Sequence, residues 1–179
     1  IKPVAVEDLL GRPQVPLDKD SMARLIGAKR VLITGAGGSI GSELVRQVAA
    51  LGPASLTLVD NSEYALYRID LEASERFPDI PRNSEIADVR NAVRLDQVFS
   101  RSEPHVVFHA AALKHVPMVE NNVLEGIATN TLGTINVADA CRVHNVSQMV
   151  LISTDKAVNP TSIMGATKRL AEIYCQARD

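Results

Sequence analysis

The sequence predicts a doubly wound α/β domain, a parallel sheet with helices on both faces. Two observations carry that expectation. Short apolar runs alternate with longer amphipathic stretches, the pattern of successive βαβ units. A cluster of glycines closes the first of those runs, where strand gives way to helix.

Residues 1–20 contain Pro3, Pro13 and Pro16 and show no sustained period, so they read as an arm, leaving 21–179 as the domain. A short helical stretch, Ser21 to Ile26, precedes Arg30-Val31-Leu32-Ile33-Thr34, an apolar run of the kind that forms a buried parallel strand. Behind the glycines, Ile40, Leu44, Val45, Val48 and Leu51 recur at helical spacing and stop at Gly52-Pro53. Further strands are expected at Ser55 to Val59, Ser84 to Ala87, His105 to His109 and Gln148 to Ile152. Helices are expected at Glu63 to Glu75, Val93 to Arg101, Leu124 to Val143 and Ile163 to Arg178.

Composition narrows the class. The chain has 179 residues, 46% hydrophobic and 22% charged, the balance of a packed globular domain and not of a disordered one. With 19 Lys+Arg against 21 Asp+Glu, three Tyr, three Phe and no Trp, it offers neither the basic face nor the stacking platforms of a nucleic-acid binder. Cys141 and Cys175 lie far apart and belong to no clustered set of Cys and His ligands, so neither a disulfide framework nor a metal site is expected, and a reducing cytoplasm fits. No apolar run is long enough to cross a membrane and no signal-peptide pattern opens the chain, so no membrane contact is expected of it. The chain begins without Met and closes inside a helical pattern with no stop signal, so it is expected to be a fragment of something longer.

The glycine turn is Thr34-Gly35-Ala36-Gly37-Gly38-Ser39-Ile40-Gly41. Its spacing is G-x-x-G-x-x-G through Gly35, Gly38 and Gly41, and no Gly-Lys-Ser/Thr follows to make it a Walker loop. Such a turn brings bare backbone to a pyrophosphate at a helix N-terminus, which makes Gly35, Gly38, Ser39, Ile40 and Gly41 candidate cofactor contacts. The plainer alternative is a glycine-rich turn with no ligand. Asp60 closes the second strand nineteen residues after Gly41, where a carboxylate can accept both hydroxyls of an adenosine ribose. It would repel a 2′-phosphate, and Asn61-Ser62-Glu63 brings no Arg, so NAD is expected over NADP. Asp60 can also cap the next helix. Asp88 and Val89 follow the third strand, where they can meet the adenine, and Ala110 and Ala111 would let a cofactor pass close to the backbone; a helix cap or a packed small-residue turn explains either as well.

The fifth strand runs into Ser153-Thr154-Asp155-Lys156 and on to Met164-Gly165-Ala166-Thr167-Lys168. The segments TGAGGSIGSEL, HAAALKHVPMVE and STDKAVNPTSIMGATKR together resemble the CapD-like nucleotide-sugar 4,6-dehydratases of bacterial polysaccharide biosynthesis, a Rossmann-like branch of the extended short-chain dehydrogenases. The likeness runs from about Leu10 to Asp179.

The resemblance implies an NAD-dependent lyase acting on a UDP-N-acetylhexosamine, UDP-N-acetylglucosamine foremost, for capsule or lipopolysaccharide synthesis. In the family scheme C4 is oxidised by hydride transfer to nicotinamide, water leaves across C5 and C6, and the hydride returns to C6. By similarity Asp155 is the general acid for the C6 hydroxyl and Lys156 the base for C5. Thr154 bonds the C4 oxygen, Lys168 holds the nicotinamide ribose, and Lys114 lies near the substrate. At reference pKa values Asp155 is ionised and Lys156 protonated, the wrong state for each role, so burial is expected to raise the one and lower the other. A surface ion pair is the plainer alternative.

One position departs from the wider pattern. The superfamily's Tyr-x-x-x-Lys has Met164 where the Tyr would stand, and a thioether cannot take the C4 hydroxyl proton. Long membrane-anchored members resemble this sequence in carrying Met there, which leaves Asp155, Lys156 or a water relay to receive that proton. His109, inside an apolar strand, is expected to be a satisfied core histidine and His115 a turn residue.

The resemblance also implies a C-terminal substrate-binding part beyond this chain, an apparent truncation. It further implies a parent at the cytoplasmic face of the bacterial inner membrane, joined through Asp8 to Pro13. A homo-oligomer built on Leu124 to Val143 and Ile163 to Arg178 is expected by analogy. A nucleotide-sugar 4-epimerase and a non-catalytic NAD-binding domain stay open. The Asp155-Lys156 pair speaks against the first, and Met164 with the truncated end speaks for the second.

Overall fold

The computed structural model describes residues 18–178. The proposed arm and the Asp8 to Pro13 segment lie outside them, apart from the arm's last three residues. The short helix expected from Ser21 is α1 (Lys19–Ile26), which starts two residues earlier because the Asp18 carboxylate accepts from the Ser21 N–H at 3.0 Å and caps it.

Five parallel strands follow, β1 (Arg30–Thr34), β2 (Ser55–Asp60), β3 (Arg82–Ile86), β4 (Val106–His109) and β5 (Gln148–Leu151), in the spatial order β3-β2-β1-β4-β5. The order reverses between β1 and β4, leaving a crevice above their C-terminal ends. Helices α2 (Ser39–Ala50), α3 (Glu63–Arg76) and α4 (Ala92–Ser102) make the first crossovers. Next come α5 (Val116–Glu120), α6 (Val123–Gly126) and α7 (Gly133–Val143), and α8 (Ile163–Gln176) closes the described chain.

Alternation along the strands builds two cores. Val31 and Ile33 of β1, Leu56 and Leu58 of β2, and Val106 and Phe108 of β4 pack with Val45, Val48, Leu66 and Ile69 of α2 and α3. The intervening Leu32, Val59 and Val107 face the other way, onto Leu95, Val98 and Phe99 of α4 and Val137 of α7. Both faces are covered, which is why β1 reads as an unbroken apolar run.

The differences from expectation have physical reasons. β3 begins at Arg82 rather than Ser84; it is an edge strand, so its polar residues belong to the ladder while carrying no apolar signal. Helix α5 replaces the expected turn after Lys114, with Pro117 in its first turn, where the missing N–H is harmless. The helix expected from Leu124 to Val143 is interrupted by a π-turn, Ile127–Leu132, marked by the Gly133 N–H reaching the Ala128 carbonyl five residues back. β5 forms the opposite edge, beside a groove of about 630 Å³ whose lining includes Met149, Leu151, Cys141 and Cys175.

Candidate active site

Two clefts meet along the C-terminal ends of the strands. The first, about 280 Å³, runs over β1, β2 and the β3 exit and is lined by Gly35, Gly38, Asp60, Asp88, Val89 and Ala111 among others. The second, about 260 Å³, lies beside β5 and is lined by Ile40, Lys114, Thr154, Lys156, Met164 and Lys168 among others. Ala110, Ala112 and Leu113 line both, so the two form one groove.

The glycine turn is built by close approach. Gly35 has φ +66°, and a Cβ there would stand 2.6 Å from the Ala111 nitrogen. Gly41 lies behind the cleft: a Cβ on it would come within 1.9 Å of the Gly35 carbonyl oxygen, so it seats α2 on the turn. The N-cap of α2 is Gly38, which has no side chain to occupy the first N–H groups, leaving that terminus open to a phosphate. Asp60 accepts from the Gly37 N–H and the Ser62 N–H, both at 2.9 Å, and this ties the β2 exit to the turn. Ser62, not Asp60, caps α3 through the Ala65 N–H.

Asp88 lines the groove, but its carboxylate is gripped by the Arg90 guanidinium, at 2.5 Å to Nη2, and is held below the usual carboxylate range by it. Arg90 continues to Glu125 of α6 at 2.6 Å, bridging the two walls of this end. Ser39 accepts a 3.3 Å bond from Lys114 Nζ, so the cation of one loop rests at the N-terminus of α2.

At the other end, the Thr154 hydroxyl donates to Asp155 Oδ1 at 3.0 Å, and Lys156 Nζ stands 3.6 Å from the same oxygen. Burial was the expected means of adjusting the Asp155-Lys156 pair, and here the structure differs. The Asp155 side chain is 90% exposed and does not line the groove, and the Thr154 hydroxyl and then the Lys156 charge hold its pKa below the usual range. The short 3-10 turn Asp155–Ala157 leaves the β5 end pointing into water, and no described residue covers it. Lys168 is the buried cation: it is 4% exposed, donates to the Ile152 carbonyl at 2.7 Å, and is depressed by burial. Met164 is buried on the groove floor, one helical turn before it.

Several residues that hold the site give no simple sequence signal. Asn130, fully buried in the π-turn, accepts from the Leu113 N–H at 2.8 Å and donates to the Leu113 carbonyl at 2.9 Å, pinning the loop that carries Lys114. Glu120 of α5 accepts from the Ile163 N–H at 2.7 Å at the start of α8. Ser153 donates to Glu172 of α8. Asn130, Thr131 and Thr134 are buried polar residues among other polar positions of the same stretch, Thr129, Asn136 and Asp139, so composition alone does not single them out.

Residues 31–179 match the model of a family described as "Polysaccharide biosynthesis protein". The capsular polysaccharide biosynthesis protein CapD of Staphylococcus aureus is 48% identical over 99% of this chain and 30% of its own length. A UDP-N-acetylglucosamine 4,6-dehydratase (inverting) of Campylobacter jejuni and a UDP-glucose 4-epimerase of Rickettsia rickettsii are each 36% identical over 80% of this chain and 42% of theirs. Among solved structures, Pen from Bacillus thuringiensis superposes with a TM-score of 0.78 at 32% identity, covering 85% of this chain and 47% of that one. The chain thus spans less than half of each of these relatives.

Proposed function

The chain belongs to the polysaccharide biosynthesis protein family, and from that premise we propose that residues from Asp18 onward form the NAD-binding domain of a nucleotide-sugar 4,6-dehydratase acting on UDP-N-acetylglucosamine or a close UDP-N-acetylhexosamine. The observation that carries it is the single groove with a ribose-type carboxylate, Asp60, at one end and Thr154, Lys156 and Lys168 at the other.

The fit to a dinucleotide rests on what is missing as much as on what is present. The positions of Gly35 and Gly41 exclude a Cβ, and the uncapped start of α2 presents N–H groups where a pyrophosphate would lie. Asp60, already oriented by two backbone N–H groups, has lone pairs left for ribose hydroxyls. NAD held there would supply a hydride acceptor for C4 and return that hydride to C6. Lys168, on the groove lining, would hold the nicotinamide ribose, and Lys114 would meet a phosphate or sugar oxygen.

With Met164 unable to take a proton, the Thr154–Asp155 bond supplies a route. Thr154 Oγ1 accepts the C4 hydroxyl proton while passing its own to the Asp155 carboxylate. An ionised Asp155 is then the correct starting state. The proton it gains is the one it delivers to the C6 hydroxyl as that group leaves as water, while Lys156, having first released its own proton to solvent, removes the C5 proton and gives it back to C5 when the hydride would return to C6. The site's exposed face needs a cover for this chemistry, and the substrate in its binding domain would provide one.

Mass spectrometry of UDP-N-acetylglucosamine incubated with the protein at its native full length tests the reading. A product lighter by one water, absent with Asp155→Asn, supports it. A mass-silent change of sugar would instead favour 4-epimerisation, the second reading kept open by the equal 36% likeness to the Rickettsia enzyme. An unchanged sugar would leave a binding domain.

A further inference from the structure

Two consecutive residues at the exit of β5 are held by two residues one turn apart on α8. Lys168 Nζ donates to the Ile152 carbonyl at 2.7 Å, and the Ser153 hydroxyl donates to Glu172 Oε1. Glu172 Oε2 is occupied as well, by Arg169 Nη1 at 3.0 Å. The spacing of four residues puts Lys168 and Glu172 on the same helical face, so the pair closes on the backbone just before Thr154 like a two-point clasp.

The charges around Lys168 make the second half of the argument. Glu172 and Cys175 face it from its own helix and His109 from β4, while Lys114 and Lys156 share its cleft. His109 is neutral and the two lysines repel, so Glu172 is the negative group that offsets a desolvated ammonium.

We propose that Glu172 is a positioning residue of this site, fixing the Ser153-Thr154 turn through its hydrogen bond and stabilising the charge of Lys168 in its buried seat. It lines neither cleft of the groove. The inference rests on the reading of Thr154 and Lys168 given above, but its test does not depend on turnover.

The experiment follows the Lys168 side chain by NMR titration in this chain, with NAD binding measured alongside. Glu172→Gln keeps an oxygen for Ser153 and loses the charge; the Lys168 midpoint is expected to fall by about one unit. A midpoint that does not move overturns the electrostatic role. Ser153→Ala keeps the charge and loses the Ser153 half of the clasp; amide exchange at Ile152 and Ala157, whose N–H groups donate to the His109 and Thr154 carbonyls on either side of the turn, is expected to quicken about tenfold, the signature of a loosened local segment. Unchanged exchange overturns the positional role, and it does so even if Glu172→Gln fails to fold. If the midpoint and exchange shift as expected while neither wild type nor variants bind NAD, the clasp stands and the cofactor reading falls.

Discussion

Thr34 and His109, paired across β1 and β4, share a buried hydrogen bond of 2.6 Å between Oγ1 and Nδ1. The other ring nitrogen meets Thr134 Oγ1 at 2.9 Å. Thr134 spends its only proton on the Asn130 carbonyl at 2.7 Å, so His109 Nε2 must be the donor. Burial, then the Lys168 charge, drives the ring's pKa down to about 3, which keeps it neutral and leaves Nδ1 to accept from the Thr34 hydroxyl. A His whose folded pKa is depressed stabilises the fold above its unfolded pKa of about 6.5 and loses that contribution as pH falls toward 3. Urea unfolding between pH 7.5 and 5 should show stability declining, with this residue contributing on the order of 1 kcal/mol per pH unit. In His109→Gln the slope should flatten by one proton's worth. An identical slope in both proteins means His109 is not the titrating group.

Gly41→Ala and Gly52→Ala separate steric crowding from backbone strain. At Gly41 the new methyl would stand 1.9 Å from a carbonyl oxygen, whereas Gly52 has φ +66° with nothing within 4 Å. The first should lose about 3 kcal/mol or fail to fold, because the turn must move bodily. The second should lose about 1 kcal/mol from left-handed strain alone. Chemical denaturation of both variants decides it, and equal losses contradict the crowding argument.

Asp60 organises the groove before any ligand arrives, since it holds the Gly37 and Ser62 N–H groups at 2.9 Å. Asp60→Ala should raise the NAD dissociation constant at least about tenfold, one lost charged hydrogen bond being about 1.4 kcal/mol or more. Calorimetry on this chain measures it, with NADP as the companion ligand. An unchanged NAD affinity would remove Asp60 from the ribose site.

Two different side chains cap α8. Ser162 accepts from the Gly165 N–H at 3.1 Å, and Glu120 accepts from the Ile163 N–H at 2.7 Å. Each replacement by Ala should cost about 1 kcal/mol, and since the donors differ, the double variant should lose nearly the sum. A double variant no worse than either single one shows that the caps substitute for one another.

The strands and most helices were legible because the alternation of apolar residues is set by faces that are buried on both sides. β3 and α5 were blurred for opposite reasons: β3 has too little burial to leave an apolar stripe, and α5 is a five-residue helix too short to show a period. In the groove, the glycines and Asp60 were readable from spacing alone. What spacing could not give was orientation. That Asp155 faces water and that Asp88 is already taken by Arg90 two residues on are matters of local side-chain direction, and that Glu172 reaches Ser153 depends on residues brought together from different elements. The homo-oligomer expected from the outer helices remains an analogy drawn from the superfamily.

The two edges of the sheet differ in a way that matters at the bench. β3 carries Arg82 and Glu85, each tied into ion pairs, and charges of that kind discourage a foreign strand from docking. β5 is Gln148-Met149-Val150-Leu151, with no lysine, proline or charge to blunt it, and its outer ladder has no partner among the described residues. Such an edge is a template for recruiting other chains. Colloidal behaviour, rather than unfolding, should therefore set the shelf life of this polypeptide: dilute stocks keep, and concentrated ones cloud while their helices are still intact.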